Sequence, residues 1–148
     1  MKIDKLFKGL KRIANGDYVL KGDLFSEETI EIDLDDRFVV KGKIRAKKRI
    51  VVRCGIKAGC GIEAGEGIKA GCGIEAGWGI EAGWGIRAGW GIEAGTFINV
   101  KKRIFAGISI YHTSEDCDKT IRCEELLDGE VCYGALILTG SEEKPDED

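Results

Sequence analysis

Seven consecutive copies of one hexapeptide occupy residues 54–95, and they constrain the fold more than any other feature of the chain. The copies read CGIKAG, CGIEAG, EGIKAG, CGIEAG, WGIEAG, WGIRAG and WGIEAG. A short fixed period is the signature of a repeat architecture, in which similar units stack on one another. A helix is excluded, because a period of six does not keep isoleucine on one face of a spiral of about 3.6 residues per turn, and glycine weakens helices.

Each copy is predicted to form a short strand followed by a corner. Side chains of an extended chain alternate between faces, so the isoleucine and the alanine of a unit share one face. In the first copy, Ile56 and Ala58 are expected to point inward and Lys57 outward. Two glycines flank the variable first residue of each copy, and a chain bends at glycine with little steric cost. The variable residue is therefore expected at a corner.

The period extends beyond the perfect copies. Stepping by six gives fourteen hexads in phase, predicted to run without an insertion from Ile32 to about residue 115. The triplet KKR occurs at 47–49 and 101–103, and the separation of these positions is a multiple of eighteen but not of twelve. This favours coils of about eighteen residues, with a rod on the order of 22 Å long at the usual strand spacing.

The phased Ile-x-Ala hexads resemble the hexapeptide-repeat β-solenoids, of which the left-handed β-helix is the best known. The stretch VVKGKIRAKKRIVVRCGIKAG is also similar to bactofilin-type solenoids. The resemblance covers a little over half of the chain and is specific for architecture alone. It implies triangular coils of three hexads. We therefore predict an all-β fold, a single-stranded parallel β-solenoid (β-helix) with about eighteen residues per coil.

The rest of the chain is predicted to close the two ends of this rod. We expect an N-terminal capping helix and lead-in strands over 1–30, the solenoid over 31–112, a C-terminal cap or oligomerisation segment over 113–140, and a disordered acidic tail over 141–148. The helix is placed at residues 3–14, where apolar residues recur at helical spacing. It is expected to cover the open sheet edge; its lysines leave contact with a membrane surface as the alternative.

The N-terminal residues lack the apolar core of a secretion signal, and no stretch approaches the ~20 apolar residues of a membrane span. A cytoplasmic protein without membrane contact is expected.

The variable position also holds three tryptophans, Trp78, Trp84 and Trp90. Because this column accepts Asp, Lys and Glu elsewhere, and buried unpaired charge is costly, the three indoles are expected on three successive corners of one coil. Exposed apolar clusters commonly mark interfaces, which makes this ring the candidate interaction surface. Two alternatives remain open: the rings fold over the glycine-covered faces, or they stack on a sugar or base.

The two basic triplets are predicted to share one edge of the rod, three coils apart. This basic edge comprises Lys47, Lys48, Arg49, Lys101, Lys102 and Arg103. Charge divides along the chain, with net +5 in residues 1–53, −2 in 54–95 and −6 in 96–148. Because a charge run is usually a solvated face and the net charge is −3, nucleic acid is not expected as a partner.

Six cysteines and one histidine are the side chains most suited to metal binding or catalysis. With eighteen residues per coil, Cys54 and Cys72 stack on adjacent coils. A zinc site from His112, Cys117, Cys123 and Cys132 matches no established spacing. Some hexapeptide solenoids are acyltransferases or zinc carbonic anhydrases; the latter need three histidines, whereas acyl transfer needs one base, for which His112 is the candidate. No catalytic residue, metal or cofactor is predicted.

The favoured function is a non-enzymatic scaffold that acts through its surfaces and either self-associates or binds another protein. One alternative is an inhibitor or mimic that binds a nucleic-acid-processing enzyme, based on the acidic C-terminal part. The other is an acyltransferase-like enzyme with His112 as general base.

Overall fold

The computed structural model describes residues 1–107 and 119–139, and they form a parallel β-solenoid of about six turns. The strands are β1 (Lys2–Ile3), β2 (Lys11–Arg12), β3 (Tyr18–Leu20), β4 (Leu24–Ser26), β5 (Ile30–Ile32), β6 (Phe38–Val40), β7 (Ile44–Ala46), β8 (Ile50–Val52), β9 (Ile56–Ala58), β10 (Ile62–Ala64), β11 (Ile68–Ala70), β12 (Ile74–Ala76), β13 (Ile80–Ala82), β14 (Ile86–Ala88), β15 (Ile92–Ala94), β16 (Phe97–Ala106), β17 (Thr120–Cys123), β18 (Glu125–Tyr133) and β19 (Ala135–Leu138).

Successive strands lie on three faces of the rod in turn. Face one contains β4, β7, β10, β13 and the start of β16. Face two contains β1, β5, β8, β11, β14 and the end of β16, which runs through the corner between these two faces. Face three contains β3, β6, β9, β12, β15, β17 and β19, with β2 antiparallel to β3. β18 pairs along β16. The predicted solenoid fold is confirmed.

The register confirms a coil of about eighteen residues. Ile62 pairs with Ile44 on one side and with Ile80 on the other, and the perfect copies on the other faces pair in the same way. Inward isoleucines of these copies are 0–2% exposed, and inward alanines are 0–3% exposed. Each isoleucine removed from water in this way contributes roughly 1.5–3 kcal/mol. The isoleucine and alanine columns therefore form one continuous core.

The first coil differs from the prediction of unbroken hexads. Ile30 pairs with Ile50 and Ile32 with Val52, so this coil is two residues longer than the coils of the perfect copies. Ile32 therefore occupies the second inward position of β5 and does not begin a hexad. The extra two residues lie between β5 and β6, where Leu34 is 1% exposed. A shift of two keeps every side chain on its original face, so the hydrophobic pattern does not reveal it.

The predicted helix over residues 3–14 is wrong. Ile3 belongs to β1, pairs with Ile32 and is fully buried, whereas Leu6 is 91% exposed. The backbone between β1 and β2 makes turn hydrogen bonds in place of a helical ladder, such as Phe7 N to Asp4 O at 3.0 Å. Gly9 has a φ of 89°, a conformation that ends a helix. The apolar spacing arises because Phe7 and Leu10 pack on the end of the core.

The chain after residue 118 adds further coils. Ile121 of β17 pairs with Ile92, and Leu136 of β19 pairs with Ile121, both in parallel. Residues 119–139, expected as a cap or oligomerisation segment, therefore extend the parallel ladder. His112, Cys117 and the tail over 141–148 lie outside the described residues.

An ion pair ties the first coil to the second. Arg37 Nη2 donates to Asp17 Oδ2 at 2.7 Å, and the Asn15 side-chain amide also donates to Asp17 Oδ2. Asp17 is 8% exposed. The hydrogen bond from Arg37 holds the pKa of Asp17 below its ordinary value of 3.8, although burial opposes this effect. The ionised carboxylate is therefore the form that the fold stabilises.

Glycine is required on one side of each corner by close approach between coils. A Cβ added at Gly65 would overlap the carbonyl oxygen of Lys47 one coil before. A Cβ at Gly67, on the other side of the same corner, would lie 3.5 Å from the carbonyl oxygen of Gly85, an ordinary contact. The two glycines that flank this corner therefore have different roles.

We expect Gly65→Ala to lower the free energy of unfolding by about 1–3 kcal/mol, because the methyl group forces two coils apart. Gly67→Ala is the matched control and should stay within about 0.5 kcal/mol of wild type. Urea denaturation followed by circular dichroism measures both. Equal losses in the two variants would contradict the assignment of the close approach to Gly65 alone.

We expect Asp17→Asn to lower stability by about 1 kcal/mol at neutral pH, since Arg37 is partly exposed and the pair is screened. A depressed carboxyl pKa gives stability that is present above pH 3.8 and is lost as the pH falls through the lower folded value. The thermal midpoints of wild type and variant should therefore converge between pH 4 and pH 2 (approximate limits). If the difference between the thermal midpoints of wild type and variant does not change with pH, the Asp17–Arg37 pair stabilises the fold through packing and not through charge.

Candidate functional site

The three tryptophans lie on the three corners of one coil, as the repeat predicts. Each indole-bearing residue is fixed by a backbone hydrogen bond to the coil before: Trp78 N to Cys60 O at 3.0 Å, Trp84 N to Glu66 O at 2.9 Å and Trp90 N to Cys72 O at 3.2 Å. Their exposed fractions are 67%, 49% and 37% in chain order. The side chains are thus presented to solvent and not folded fully over the glycine faces.

The surroundings of the three indoles differ. Trp84 has two cations near its ring, with Arg49 Cζ 5.6 Å and Lys102 Nζ 5.9 Å from the ring centroid. Trp90 lines a groove along the corner between faces two and three. Trp78 is the most exposed, and its column neighbours are Cys60 one coil before and Thr96 one coil after. The three tryptophans therefore belong to three separate surfaces that point in different directions.

The two basic triplets share the corner between faces one and two, as predicted. Backbone hydrogen bonds run along this corner from Lys102 to Trp84, Glu66 and Lys48 in turn. The first triplet is neutralised by three ion pairs: Lys47–Glu27, Lys48–Glu28 and Arg49–Glu66. The hydrogen bond between Lys48 and Glu28 raises the pKa of the lysine and lowers that of the glutamate.

The second triplet has a different electrostatic environment. No carboxylate of the described residues lies within 4.0 Å of the charged atoms of Lys101, Lys102 or Arg103. Their positive charge is therefore not cancelled by an ion pair within residues 1–107 and 119–139. The two triplets share an edge, but only the second presents unneutralised charge.

A cleft of about 1010 Å³ opens on face two beside this second triplet. Its lining includes Trp84, Lys69, Arg87, Arg103 and Phe105. Lys69 and Arg87 are directly paired neighbours in the outward column of face two, and Arg87 is paired with Phe105. We call this the face-two cleft.

Three residues of this cleft escaped the sequence analysis: Lys69, Arg87 and Phe105. Each is one full coil from the next along the chain, and the perfect copies between them look alike, so no local motif marks them. Writing the chain in rows of eighteen would have placed them in one column, because residues with that separation are neighbours in the folded rod.

A pair of thiols lies in the groove along the corner between faces two and three. Cys54 Sγ and Cys72 Sγ are 3.4 Å apart on adjacent coils, which confirms that they stack. This groove of about 420 Å³ is also lined by Arg37, Glu75 and Trp90. Cys60 occupies the next corner along the chain, where Gly42 precedes it and Trp78 follows it in the column. Two thiols therefore come into contact where their residues are neighbours in the same corner column.

The described residues do not assemble a group of candidate metal ligands. No set of three His, Cys, Asp or Glu within residues 1–107 and 119–139 is placed to hold a metal ion. Cys123 is buried, and loss of hydration raises the pKa of its thiol, which makes it a weak nucleophile. His112, the candidate base, and Cys117 fall outside the described part. No helix in that part is long and apolar enough to cross a bilayer.

We expect oxidised glutathione to convert Cys54 and Cys72 into a disulfide, with two thiols oxidised and one glutathione disulfide reduced to two glutathione molecules. Adjacent paired strands lie ~5 Å apart, within the Cα separation that a disulfide spans. Peptide mapping by mass spectrometry identifies the link. Cys60 is the internal control, since its column neighbours are not cysteines. A link from Cys60 to Cys54 or Cys72 would contradict the coil register.

Comparison of the chain with protein-family models, with curated proteins and with solved structures gives no significant match. The surfaces of the solenoid therefore provide the basis for assigning a function.

Proposed function

We propose that this protein is a non-enzymatic scaffold that presents surfaces on a β-solenoid and self-associates through the corner that carries Trp78. The observation that carries the proposal is the 67% exposure of Trp78, the largest among the three indoles. Removing most of an indole from water on association is strongly favourable, and aromatic residues are enriched in the cores of interfaces. The phased hexads support placing the chain among hexapeptide-repeat solenoids.

The geometry of the ring favours side-by-side contact. Three corners of one coil point in three directions, so a single partner meets one tryptophan and not all three. Trp84 and Trp90 are less exposed, at 49% and 37%, and Trp90 lies against a groove. Trp78 is therefore the indole with most contact area left for a second rod.

The neighbours of Trp78 suit a symmetric contact. Cys60 and Thr96, one coil away on either side, have much smaller side chains and leave room beside the indole. The Phe97 ring covers Gly79, which adds apolar surface next to Trp78. A two-fold arrangement places each copy's Trp78 against the small residues of the other copy, which is the self-complementary pattern of a C2 interface.

Size exclusion coupled to light scattering, on wild type and single variants, tests this proposal. Wild type should form a defined oligomer and Trp78→Ala a folded monomer, because truncating a central aromatic residue commonly costs more than about 2 kcal/mol of association. Trp84→Ala is the matched control, from a WGI hexad on another corner, and should keep the oligomer. Unchanged thermal midpoints would show that both variants fold.

Two results would overturn the proposed self-association through Trp78. One is a wild-type monomer at every concentration up to the millimolar range, about where weak dimers appear. The other is an oligomer that survives Trp78→Ala, which would move the contact elsewhere on the rod.

A further inference from the structure

Face two differs in charge from the other two faces. In the perfect copies, its outward residues are Lys69 and Arg87. The corresponding residues are Glu63 and Glu81 on face one, and Lys57, Glu75 and Glu93 on face three. The two cations are exposed and directly opposite each other in the register. Like charges placed opposite each other on adjacent strands destabilise a sheet.

Arg45 on face one and Lys57 on face three have ion-pair partners, whereas Lys69 and Arg87 have none within residues 1–107 and 119–139. Arg45 Nε lies 3.6 Å from Glu63 on face one, and Lys57 Nζ lies 3.4 Å from Glu75 on face three. Of the described carboxylates, none comes within 4.0 Å of the charged atoms of Lys69 or Arg87. Lys101, Lys102 and Arg103 also line the face-two cleft, so these five cations converge there, of which Arg103 lies opposite Glu130 of β18 in the register. Such an arrangement attracts a multiply charged anion.

Aromatic rings border the same cations. Trp84 forms one side of the cleft and is 49% exposed, and Phe105 follows Arg87 in the outward column. The indole is positioned by Arg49 and Lys102 at 5.6 and 5.9 Å from its ring centroid. A π-face beside clustered cations suits a ligand that combines a planar ring with phosphate.

The length of the cleft favours a small ligand. The cationic part of its lining spans four coils, from Arg49 through Gly67 and Gly85 to Arg103, which at the usual strand spacing is roughly 14 Å. Asp128 and Glu130 line its C-terminal end. Their carboxylates repel phosphate, so the cationic track stops there and does not continue as a groove for a long strand. A volume of about 1010 Å³ suits a ligand of nucleotide size.

We propose that the face-two cleft binds a nucleoside polyphosphate, with its phosphates over Lys69 and Arg87 and its base stacked on Trp84 at the side of the cleft. Arginine is suited to this role because its planar guanidinium donates two parallel hydrogen bonds to phosphate. The proposal does not depend on self-association, because Trp78 lies on a different corner.

Isothermal titration with ATP tests the site in the full chain at low salt. We expect saturable binding to wild type and an affinity about tenfold lower for Arg87→Gln, which loses a charge-assisted contact. Arg45→Gln is the matched control, since Arg45 holds the same place in an IRA hexad on face one, and it should bind like wild type.

Trp84→Leu should weaken binding about tenfold, as expected for loss of one stacking platform, and Trp78→Leu should not. Thermal midpoints check that each variant folds.

Adenosine and tripolyphosphate separate the two halves of the ligand, and each should bind at least about tenfold more weakly than ATP, because each lacks one set of contacts. The proposal is overturned by absence of ATP binding, or by equal losses in Arg87→Gln and Arg45→Gln. Tripolyphosphate that binds as well as ATP would make this a bare anion site. A short single-stranded oligonucleotide that binds far more tightly than ATP would make it a single-strand site instead.

Discussion

The hydrogen-bond ladder between coils is the constraint on which the rest of this structure depends. It continues through the corners as well as the strands: from the second perfect copy onward, the N–H of the variable residue donates to the carbonyl of the corner residue one coil before it, as Cys72 does to Cys54. Because the corners are paired along the perfect copies, these coils keep one length, whereas the longer first coil places its two extra residues between β5 and β6 and still pairs on all three faces. The close approach that this pairing demands is what excludes a side chain at Gly65.

Because of this ladder, the side chains that stabilise the fold and the side chains that face solvent occupy different columns of the repeat. The isoleucine, alanine and glycine columns make the ladder and the core, and they hardly vary among the perfect copies. The side chains of the variable corner residue and of the middle residue of each strand contribute little to either, because they face solvent. Substitutions in these two columns therefore change what the rod presents without changing its fold, and the tryptophans, the thiol pair and the cations of face two all occur there.

Electrostatics follow the faces of the rod and not the order of the chain. The division into a basic first part and an acidic last part is real in the sequence, but the first basic triplet is neutralised by Glu27, Glu28 and Glu66. Unneutralised positive charge appears instead where Lys69 and Arg87 join the second triplet. Counting charge along the chain does not distinguish the two triplets, since the ion pairs form between residues on adjacent coils, far apart in sequence.

The sequence alone determined the parallel solenoid, its coil length, the inward isoleucine and alanine columns, the place of the three tryptophans on one coil and the stacking of Cys54 with Cys72. These follow from a period of six and the alternation of an extended chain, which are local properties. Tertiary structure decided the rest. The two-residue extension before Phe38 preserves inward and outward alternation, and turns at the N-terminus bury Ile3 and Phe7 with the same spacing as a helix. The face-two cleft arises only when Lys69, Arg87 and Phe105 become neighbours. The hydrogen bonds between coils bring these residues together, although they are far apart in sequence.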